Sequence, residues 1–277
     1  MPPKVINVYK KCGQTPLDCI NEVKKANPEM THLPLTYAGR LDPLAEGVLL
    51  ILVGDECLKK DDYLSLPKEY ELTILFGFET DTYDLMGKVQ ISDTILQVPD
   101  NCNNSCRVPE EVFSEVQPTS SFEYCTSEKI QEIIPTFIGR INQAYPPYSS
   151  RTVDGKPLFQ WAREGKLDKI IIPSHDVFVE NIEIIKEDFI SGTELLEKIK
   201  KDIGSVKGDF RQDEIISIWR DTLKNKLENK YKILKLRVSC GSGVYVRSIA
   251  HELGKKLGVP ALALNIKRTR VGEYEIN

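Results

Sequence analysis

The residue in this sequence that is most clearly suited to catalysis is one acidic side chain between two glycines. Residues 37–47 read YAGRLDPLAEG. Here Asp42 lies between Gly39 and Gly47, just before a strongly apolar run at 48–53. A tight loop at the edge of a buried strand can present one fixed carboxylate as a nucleophile or a base. The segment also fits an ordinary β-turn, because Asp-Pro dipeptides commonly begin turns.

Three further segments carry residues that can do chemistry, and each also has a structural explanation. KEY at 68–70 begins an alternating stretch from which its tyrosine ring can enter a cleft, although such rings are more often packed. In GSGVYVR at 241–247, Tyr245 and Arg247 are predicted in the first turn of a helix. Since the helix dipole disfavours a cation there, we expect an anion near Arg247. IKRTRVG at 266–272 is basic, and such a run is most often a solvated surface.

Hydrophobic periodicity and capping residues predict the elements that must position these segments. Short apolar or alternating stretches predict strands near residues 5–9, 48–53, 68–77, 177–184 and 232–238. Periodic apolar positions between caps, glycines and prolines predict helices near residues 15–27, 127–134, 157–164, 193–203, 213–227 and 244–257. Because strands alternate irregularly with helices, the sequence predicts an α+β fold with a mixed sheet.

Two predicted helices have specific starting residues. Thr15 is predicted to cap the first, which would bury Leu17, Ile20 and Val23 as an apolar stripe. Ser127 is predicted to cap the second helix.

Composition and cysteine usage restrict the class of protein. The 277 residues are 41% hydrophobic and 28% charged, which is ordinary for a globular protein. No apolar run is long enough to span a bilayer, and the N-terminus lacks the apolar core of a signal peptide. Seven scattered cysteines favour a reduced, cytoplasmic protein. Cys102, Cys106 and Cys125 alone give too few ligands for zinc, so no metal is predicted.

The charge distribution leaves a nucleic-acid partner possible. The net charge of −4 counts mildly against it. Basic residues nevertheless crowd the C-terminal part of the chain, at 255–256 and 267–270, with few acids between them. A basic face on an acidic body could therefore still meet phosphates.

Taken in order, these segments resemble the TruB family of tRNA pseudouridine synthases. Several ordered motifs at fitting spacing are far harder to meet by chance than any one of them, and the likeness covers most of the chain. The segments that match the family's motifs lie at 39–47, 68–70, 80–84, 146–149, 153–156, 245–254 and 267–272.

The resemblance implies a pseudouridine synthase fold with a mixed, mostly antiparallel central sheet flanked by helices and loops. It implies one catalytic domain over residues 1–277, with insertions at about 93–126 and 187–229 and without the C-terminal PUA domain of many relatives. The implied activity converts uridine to pseudouridine in tRNA, at uridine 55 of the T arm, without a cofactor. We expect a cytoplasmic monomer that binds the tRNA elbow, with no membrane contact and no obligate protein partner.

The resemblance also implies roles for individual residues. Asp42 would be the catalytic carboxylate, and Arg247 would pair with it and keep it ionised. Tyr70 would stack on the extruded uracil. Tyr245 would line the same pocket, and Ile266 would supply an apolar floor.

Further residues are implied at the edges of this pocket. Tyr37 stands where the family usually has a histidine, and it could still stack or donate a hydrogen bond, although it cannot titrate near neutral pH. The residues proposed to contact phosphates are Lys267, Arg268 and Arg270, together with Lys10, Lys11 and Arg151.

Three other functions are compatible with the residues. The same chemistry could act on ribosomal or messenger RNA, because related synthase families share the Arg-Leu-Asp core. The chain could bind or fold tRNA as a chaperone without catalysis. A glycosidase-like hydrolase would need a second carboxylate, for which Asp81 or Asp84 is a candidate.

Overall fold

A mixed sheet runs through the part of the chain that the computed structural model describes, residues 3–90 and 125–276. The strands, in chain order, are β1 (Val5–Lys10), β2 (Leu35–Ala38), β3 (Glu46–Val53), β4 (Lys68–Phe76), β5 (Glu79–Thr80), β6 (Val89–Gln90), β7 (Gly139–Ala144), β8 (Thr152–Val153), β9 (Lys156–Pro157), β10 (Ser174–Ser191), β11 (Lys230–Cys240), β12 (Ala261–Val271) and β13 (Tyr274–Glu275). Most of the predicted insertion at 93–126 lies outside the described residues, as do Cys102 and Cys106.

The order of the strands confirms the predicted α+β fold with a mixed, mostly antiparallel sheet. The main path is β1-β3-β12-β4-β11-β10-β7, with β2 paired to β3 and β13 paired to β12. All of these pairs are antiparallel except β3 with β12, which are parallel. Since β1 occupies one edge of β3, strands β2 and β12 share the other edge. The loop from β2 to β3 therefore emerges beside β12.

Helices cover both faces of the sheet. They are α1 (Pro16–Ala26), α2 (Lys60–Ser65), α3 (Ser127–Ile133), α4 (Leu158–Arg163), α5 (Gly192–Ser205), α6 (Gln212–Leu223) and α7 (Val246–Leu257). Short 3-10 turns lie at Pro28–Met30, Gly54–Lys59, Ile134–Phe137 and Leu167–Lys169. None of the helices within 3–90 and 125–276 is long and apolar enough to cross a bilayer.

Strand β4 contributes side chains to two hydrophobic cores, one on each face of the sheet, because successive side chains point to opposite faces. Leu72 and Ile74 pack with α7 on one face, as the alternating pattern predicts. On the other face Leu75 packs against α5 and α6. The strand is therefore buried on both faces near its end, although the alternation predicted only a half-buried strand.

The hairpin of α5 and α6 falls in the second predicted insertion, 187–229. Ser191 caps α5 through a capping box with Glu194, since each side chain accepts a hydrogen bond from the other residue's backbone N–H. Trp219 on α6 is fully buried and donates from Nε1 to the Leu85 carbonyl at 3.3 Å. The hairpin is thus anchored to the turn that follows β5.

Several predicted details differ in the structure. Thr15 does cap α1, but Leu17 is 61% exposed, so the buried stripe consists of Cys19, Ile20 and Val23. Thr126, not Ser127, caps α3. Strand β12 was not predicted, because its basic residues look like a solvated run.

His251 on α7 is buried against an aromatic ring. Its imidazole stacks on Tyr83 with ring centroids 3.8 Å apart. Burial, together with the charge of Lys255, lowers the pKa of His251 to about 4. The residue is therefore neutral in the folded protein at neutral pH.

This burial predicts a pH-dependent loss of stability. The unfolded chain protonates His251 near its ordinary pKa of about 6.5, whereas the folded protein resists protonation until about pH 4. The contribution of His251 alone should therefore lower the free energy of unfolding by roughly 3 kcal/mol as the pH drops from 6.5 to 4. His251→Phe keeps the stack and should remove that part of the slope in urea titrations. His32→Asn changes an exposed histidine and should retain the full pH dependence of the free energy of unfolding. The same pH dependence in both variants would contradict the assignment to His251.

Candidate active site

Asp42 lies in the loop that connects β2 to β3. Leu41 beside it is 5% exposed and packs into the core, so the chain at this point is anchored from within. The Asp42 carbonyl accepts a hydrogen bond from the Ala45 N–H at 3.1 Å, which closes a turn. Gly47 follows with φ of +111°, and a Cβ there would lie 2.1 Å from the Arg268 carbonyl oxygen. Only glycine allows β12 to approach this closely.

A buried lysine holds the carbonyls of this loop. Lys10 is fully buried, and its Nζ donates to the carbonyls of Ala45 at 2.6 Å and Pro43 at 3.2 Å. Burial lowers its pKa to about 8. The expectation that Lys10 contacts phosphate is therefore wrong, because its ammonium lies inside the protein and is bound to the loop.

Arg268 holds the same loop from the other side. It is 1% exposed, and it donates from Nε to the Val48 carbonyl at 2.8 Å and from Nη2 to the Gly39 carbonyl at 2.9 Å. Alternation on β12 turns this side chain inward, so its guanidinium is not presented to solvent as the predicted phosphate contact would require, although Arg268 does line the cavity beside Asp42. Its guanidinium instead fixes both ends of the segment that carries Asp42.

The guanidinium of Arg247 contacts the Asp42 carboxylate. Nε donates to Asp42 Oδ2 at 2.8 Å, Nη1 to the Thr82 carbonyl at 2.8 Å and Nη2 to the Tyr148 carbonyl at 2.9 Å. The Arg247 side chain is 4% exposed, whereas that of Asp42 is 34% exposed. Burial disfavours the charge of Arg247, but the carboxylates of Asp42 and Asp84 outweigh it and raise its pKa.

The turn before α7 determines the positions of Tyr245 and Arg247. Tyr245 is the N-cap residue of α7 and Arg247 is the second helical residue, so the helix begins two residues later than predicted. The Gln143 side chain accepts from the Tyr245 N–H at 2.8 Å and donates to its carbonyl at 3.2 Å. Strand β7 thereby fixes the start of α7.

A cavity of about 780 Å³ opens beside the Asp42 carboxylate. The predicted substrate residues that line it are Tyr37, Tyr70, Tyr245, Arg247 and Ile266. Burial raises the pKa of both Tyr70 and Tyr245, so their hydroxyls stay protonated at neutral pH. The size of the cavity is within the usual range for small-molecule sites.

The other predicted basic residues do not line this cavity. Lys267 and Arg270 are partly exposed on β12. Arg270 lies 3.7 Å from the Glu69 carboxylate, and the Lys267 ammonium lies 5.9 Å from the centre of the Tyr9 ring. Arg151 is exposed over the ring of Tyr145.

The turn after β5 supplies groups for which the sequence predicted no firm role. Asp84 lines the same cavity, and burial raises its pKa to about 6. Its carboxylate accepts from the Thr82 hydroxyl at 2.6 Å and the Met86 N–H at 2.9 Å. Asp81 is bound by Tyr148 and Arg211. The acidic motif at 80–84 pointed to this turn, whereas nothing in the sequence pointed to Arg211.

The arrangement suits chemistry by one fixed carboxylate on a flat ligand. Asp42 is held by Arg247 and partly exposed, and aromatic rings stand beside it in the cavity. Such a carboxylate can attack an electrophilic carbon or remove a proton. Within residues 3–90 and 125–276 no group of three histidine, cysteine or acidic side chains is arranged to hold a metal ion.

Comparison with known proteins gives a consistent result over most of the chain. A family model described as "TruB family pseudouridylate synthase (N terminal domain)" matches residues 32–106 and 109–196. The sequence is 30% identical over 272 residues to tRNA pseudouridine synthase B of Ligilactobacillus salivarius (strain UCC118), covering 98% of this chain and 68% of that protein. It is 24% identical over 277 residues to tRNA pseudouridine synthase B of Parabacteroides distasonis, covering 99% of this chain and 88% of that protein.

A solved structure shares the fold. A chain in the crystal structure of a Cbf5–Nop10–Gar1 complex superposes with a TM-score of 0.53 at 18% identity. The match covers 99% of this chain and 50% of the other. At this level of identity the likeness concerns the fold alone.

The position of Arg268 predicts a large effect on stability. Arg268→Met should remove the donor from the buried carbonyl of Val48, at a cost of about 1–3 kcal/mol, and from the half-buried carbonyl of Gly39, at a somewhat smaller cost. The free energy of unfolding, measured with urea, should therefore fall by about 2–5 kcal/mol. Arg270→Met is the matched control on the same strand and should cost less than about 1 kcal/mol, since its ion pair is partly exposed. Equal costs for the two variants would contradict this interpretation.

Proposed function

The chain belongs to the TruB family of pseudouridylate synthases, and we propose that it converts uridine to pseudouridine in tRNA, at uridine 55 of the T arm. The observation that supports this most directly is the contact of Asp42 with the buried guanidinium of Arg247 at the wall of an aromatic-lined cavity. Its curated relatives carry the name tRNA pseudouridine synthase B. The tRNA substrate also favours the cytoplasm as the place of action.

The proposed reaction is an isomerisation. The bond between ribose C1′ and uracil N1 breaks, the uracil turns in the pocket, and a bond between C1′ and C5 forms. The C5 hydrogen leaves as a proton and N1 gains one, so atoms and electrons balance without a cofactor. Asp42 acts as the nucleophile or base, and Arg247 holds it in one orientation from a position that water hardly reaches.

The uridine must leave its stack before it can reach Asp42. Extruding a base costs a few kcal/mol, and contacts in the pocket must offset this cost. We assign Tyr70 as the ring that stacks on the uracil, because it is buried in the cavity wall on the fixed strand β4. Such stacking is worth about 1–3 kcal/mol per base.

Other residues complete the proposed pocket. Ile266 provides an apolar floor, and Tyr245 faces the substrate from the N-cap of α7. Tyr37 occupies the place of the family's histidine, and its hydroxyl accepts a hydrogen bond from Arg40 at 3.2 Å. Since Tyr37 lies at the cavity, we assign it to stacking during extrusion of the base.

Binding of the RNA outside the pocket is assigned to exposed cations. Lys11 and Arg151 are exposed, and Lys267 and Arg270 are partly so. Each phosphate contact should contribute about one unit to the salt dependence of binding. The protein is proposed to act as a monomer.

Replacement of Asp42 tests the catalytic assignment. Asp42→Asn removes the charge and the nucleophile, so conversion of uridine in an unmodified tRNA transcript should slow by roughly 10³-fold or more. The dissociation constant for the tRNA should change little, because this carboxylate makes no favourable contact with phosphates. Asp55→Asn, at an exposed position in another segment, should retain the wild-type rate.

The same assay separates the alternatives. Near-normal conversion by Asp42→Asn would refute its role, and binding without any product in the wild type would favour a chaperone. Release of free uracil would favour a hydrolase. Mapping pseudouridine in total RNA from cells that lack the protein would show whether the target is tRNA, ribosomal RNA or messenger RNA.

Replacement of Tyr70 tests the stacking assignment. Tyr70→Leu should lower the single-turnover rate by about 5- to 150-fold, which corresponds to the 1–3 kcal/mol expected of one stacked base. Tyr70→Phe retains the ring and is the matched control, so it should lose much less. A leucine variant as fast as the wild type would exclude Tyr70 from contact with the substrate.

A further inference from the structure

We propose that the hairpin of α5 and α6 braces both members of the Asp42–Arg247 pair, with Arg211 as a positioning residue for the reaction. This inference rests on the proposed function, because it concerns the same site. The hairpin lies in the predicted insertion at 187–229, and the family model ends at residue 196, so most of the hairpin lies beyond the matched residues.

The first link runs from the end of α5 through Gly13, which follows β1, to the loop that carries Asp42. Gly13 packs so closely on Ser205 that a Cβ on Gly13 would lie 2.6 Å from the Ser205 carbonyl oxygen. Gly13 in turn donates from its N–H to the Pro43 carbonyl at 3.0 Å. Leu44 packs into the core that the hairpin forms with the sheet. The Asp42 loop is therefore linked to α5 through Gly13 and to the core of the hairpin through Leu44.

The second contact is made by Arg211, in the connection between the two helices. Nη1 of Arg211 donates to Asp81 Oδ2 at 3.1 Å, and its guanidinium lies 4.8 Å from the centre of the Tyr148 ring. The Tyr148 hydroxyl donates to the same Asp81 oxygen at 3.0 Å. The Arg211 and Asp81 side chains are only about one fifth exposed, at 21% and 20%. Arg211 thus ties together two segments that are far apart in sequence.

These are the two segments that bind the far side of Arg247. The Thr82 carbonyl, next to Asp81, accepts from Arg247 Nη1, and the Tyr148 carbonyl accepts from Nη2. A shift of either segment would move the guanidinium that holds Asp42. Since an error of about 1 Å in a catalytic group can cost roughly 100-fold in rate, this link is expected to matter for the reaction.

The connection itself is held in an unfavourable conformation. Arg211 has φ of +63°, a left-handed conformation that a residue with a long side chain rarely adopts. The Gln212 side chain fixes the turn, because it accepts from the Phe210 N–H at 2.8 Å and donates to the Gly208 carbonyl at 2.6 Å. Phe210 and Arg211 both line the cavity that contains Asp42. A turn that only connected two helices would not need Arg211 aimed at this cavity.

The test separates positioning from general stability. Arg211→Ala should lower kcat on unmodified tRNA by about 10- to 100-fold, while KM and the dissociation constant for tRNA change by less than about threefold. Arg211→Lys keeps the ion pair with Asp81 but loses the planar contact with Tyr148, so it should recover part of the lost kcat. Arg220→Ala is the matched control, an exposed arginine on α6, and should retain the wild-type kcat.

Several results would overturn the inference. A wild-type kcat in Arg211→Ala would do so, and so would a loss that lies only in KM or in tRNA affinity, because Arg211 would then contact RNA. If the alanine variant does not fold, Arg211→Gln replaces it, and a wild-type kcat there has the same meaning. Absence of product with the wild type would remove the proposed function and this inference together. An active wild type with an equally active Arg211→Ala would remove this inference alone.

Discussion

The site depends on one buried cation, Arg247, each of whose three guanidinium nitrogens donates a hydrogen bond. A guanidinium removed from water is costly unless its hydrogen bonds and its charge are both satisfied. Arg247 meets this requirement with a carboxylate at Asp42 and with backbone carbonyls at Thr82 and Tyr148. The segments that carry Asp42, Thr82 and Tyr148 therefore meet at the start of α7, and together they form part of the cavity wall.

Other buried cations bind backbone carbonyls around the Asp42–Arg247 pair in the same way. Among the described residues, the buried cations are Lys10, Lys68, Arg247 and Arg268. All four donate to backbone carbonyls, as Lys68 does to those of Leu64 and Leu66, and Arg247 also contacts a carboxylate. Carbonyls at the ends of strands would otherwise lack partners, and a cation satisfies several at once. A polar loop can thus be held rigidly against an apolar core.

The sequence predicted those parts of the site whose signals are local. The glycines around Asp42, the alternation of β4 and the glycine turn before α7 each lie within about ten residues, and each marks its element correctly. The side-chain direction of Arg268 was not predictable in this way. Its strand is central only because β3 and β4 pair with it, and these pairings join residues about 200 positions apart. Without that knowledge, a basic run is expected in solvent.

The role of Arg211 could not be predicted from local sequence either. Nothing near it in sequence marks it, since its partners Asp81 and Tyr148 lie in remote segments. The contact of Arg247 with Asp42 spans 205 positions, and that of Arg268 with Gly39 spans 229. Contacts of such separation form only after long loops have closed. The site therefore cannot exist in any isolated fragment, and its geometry reports on the assembly of the whole sheet.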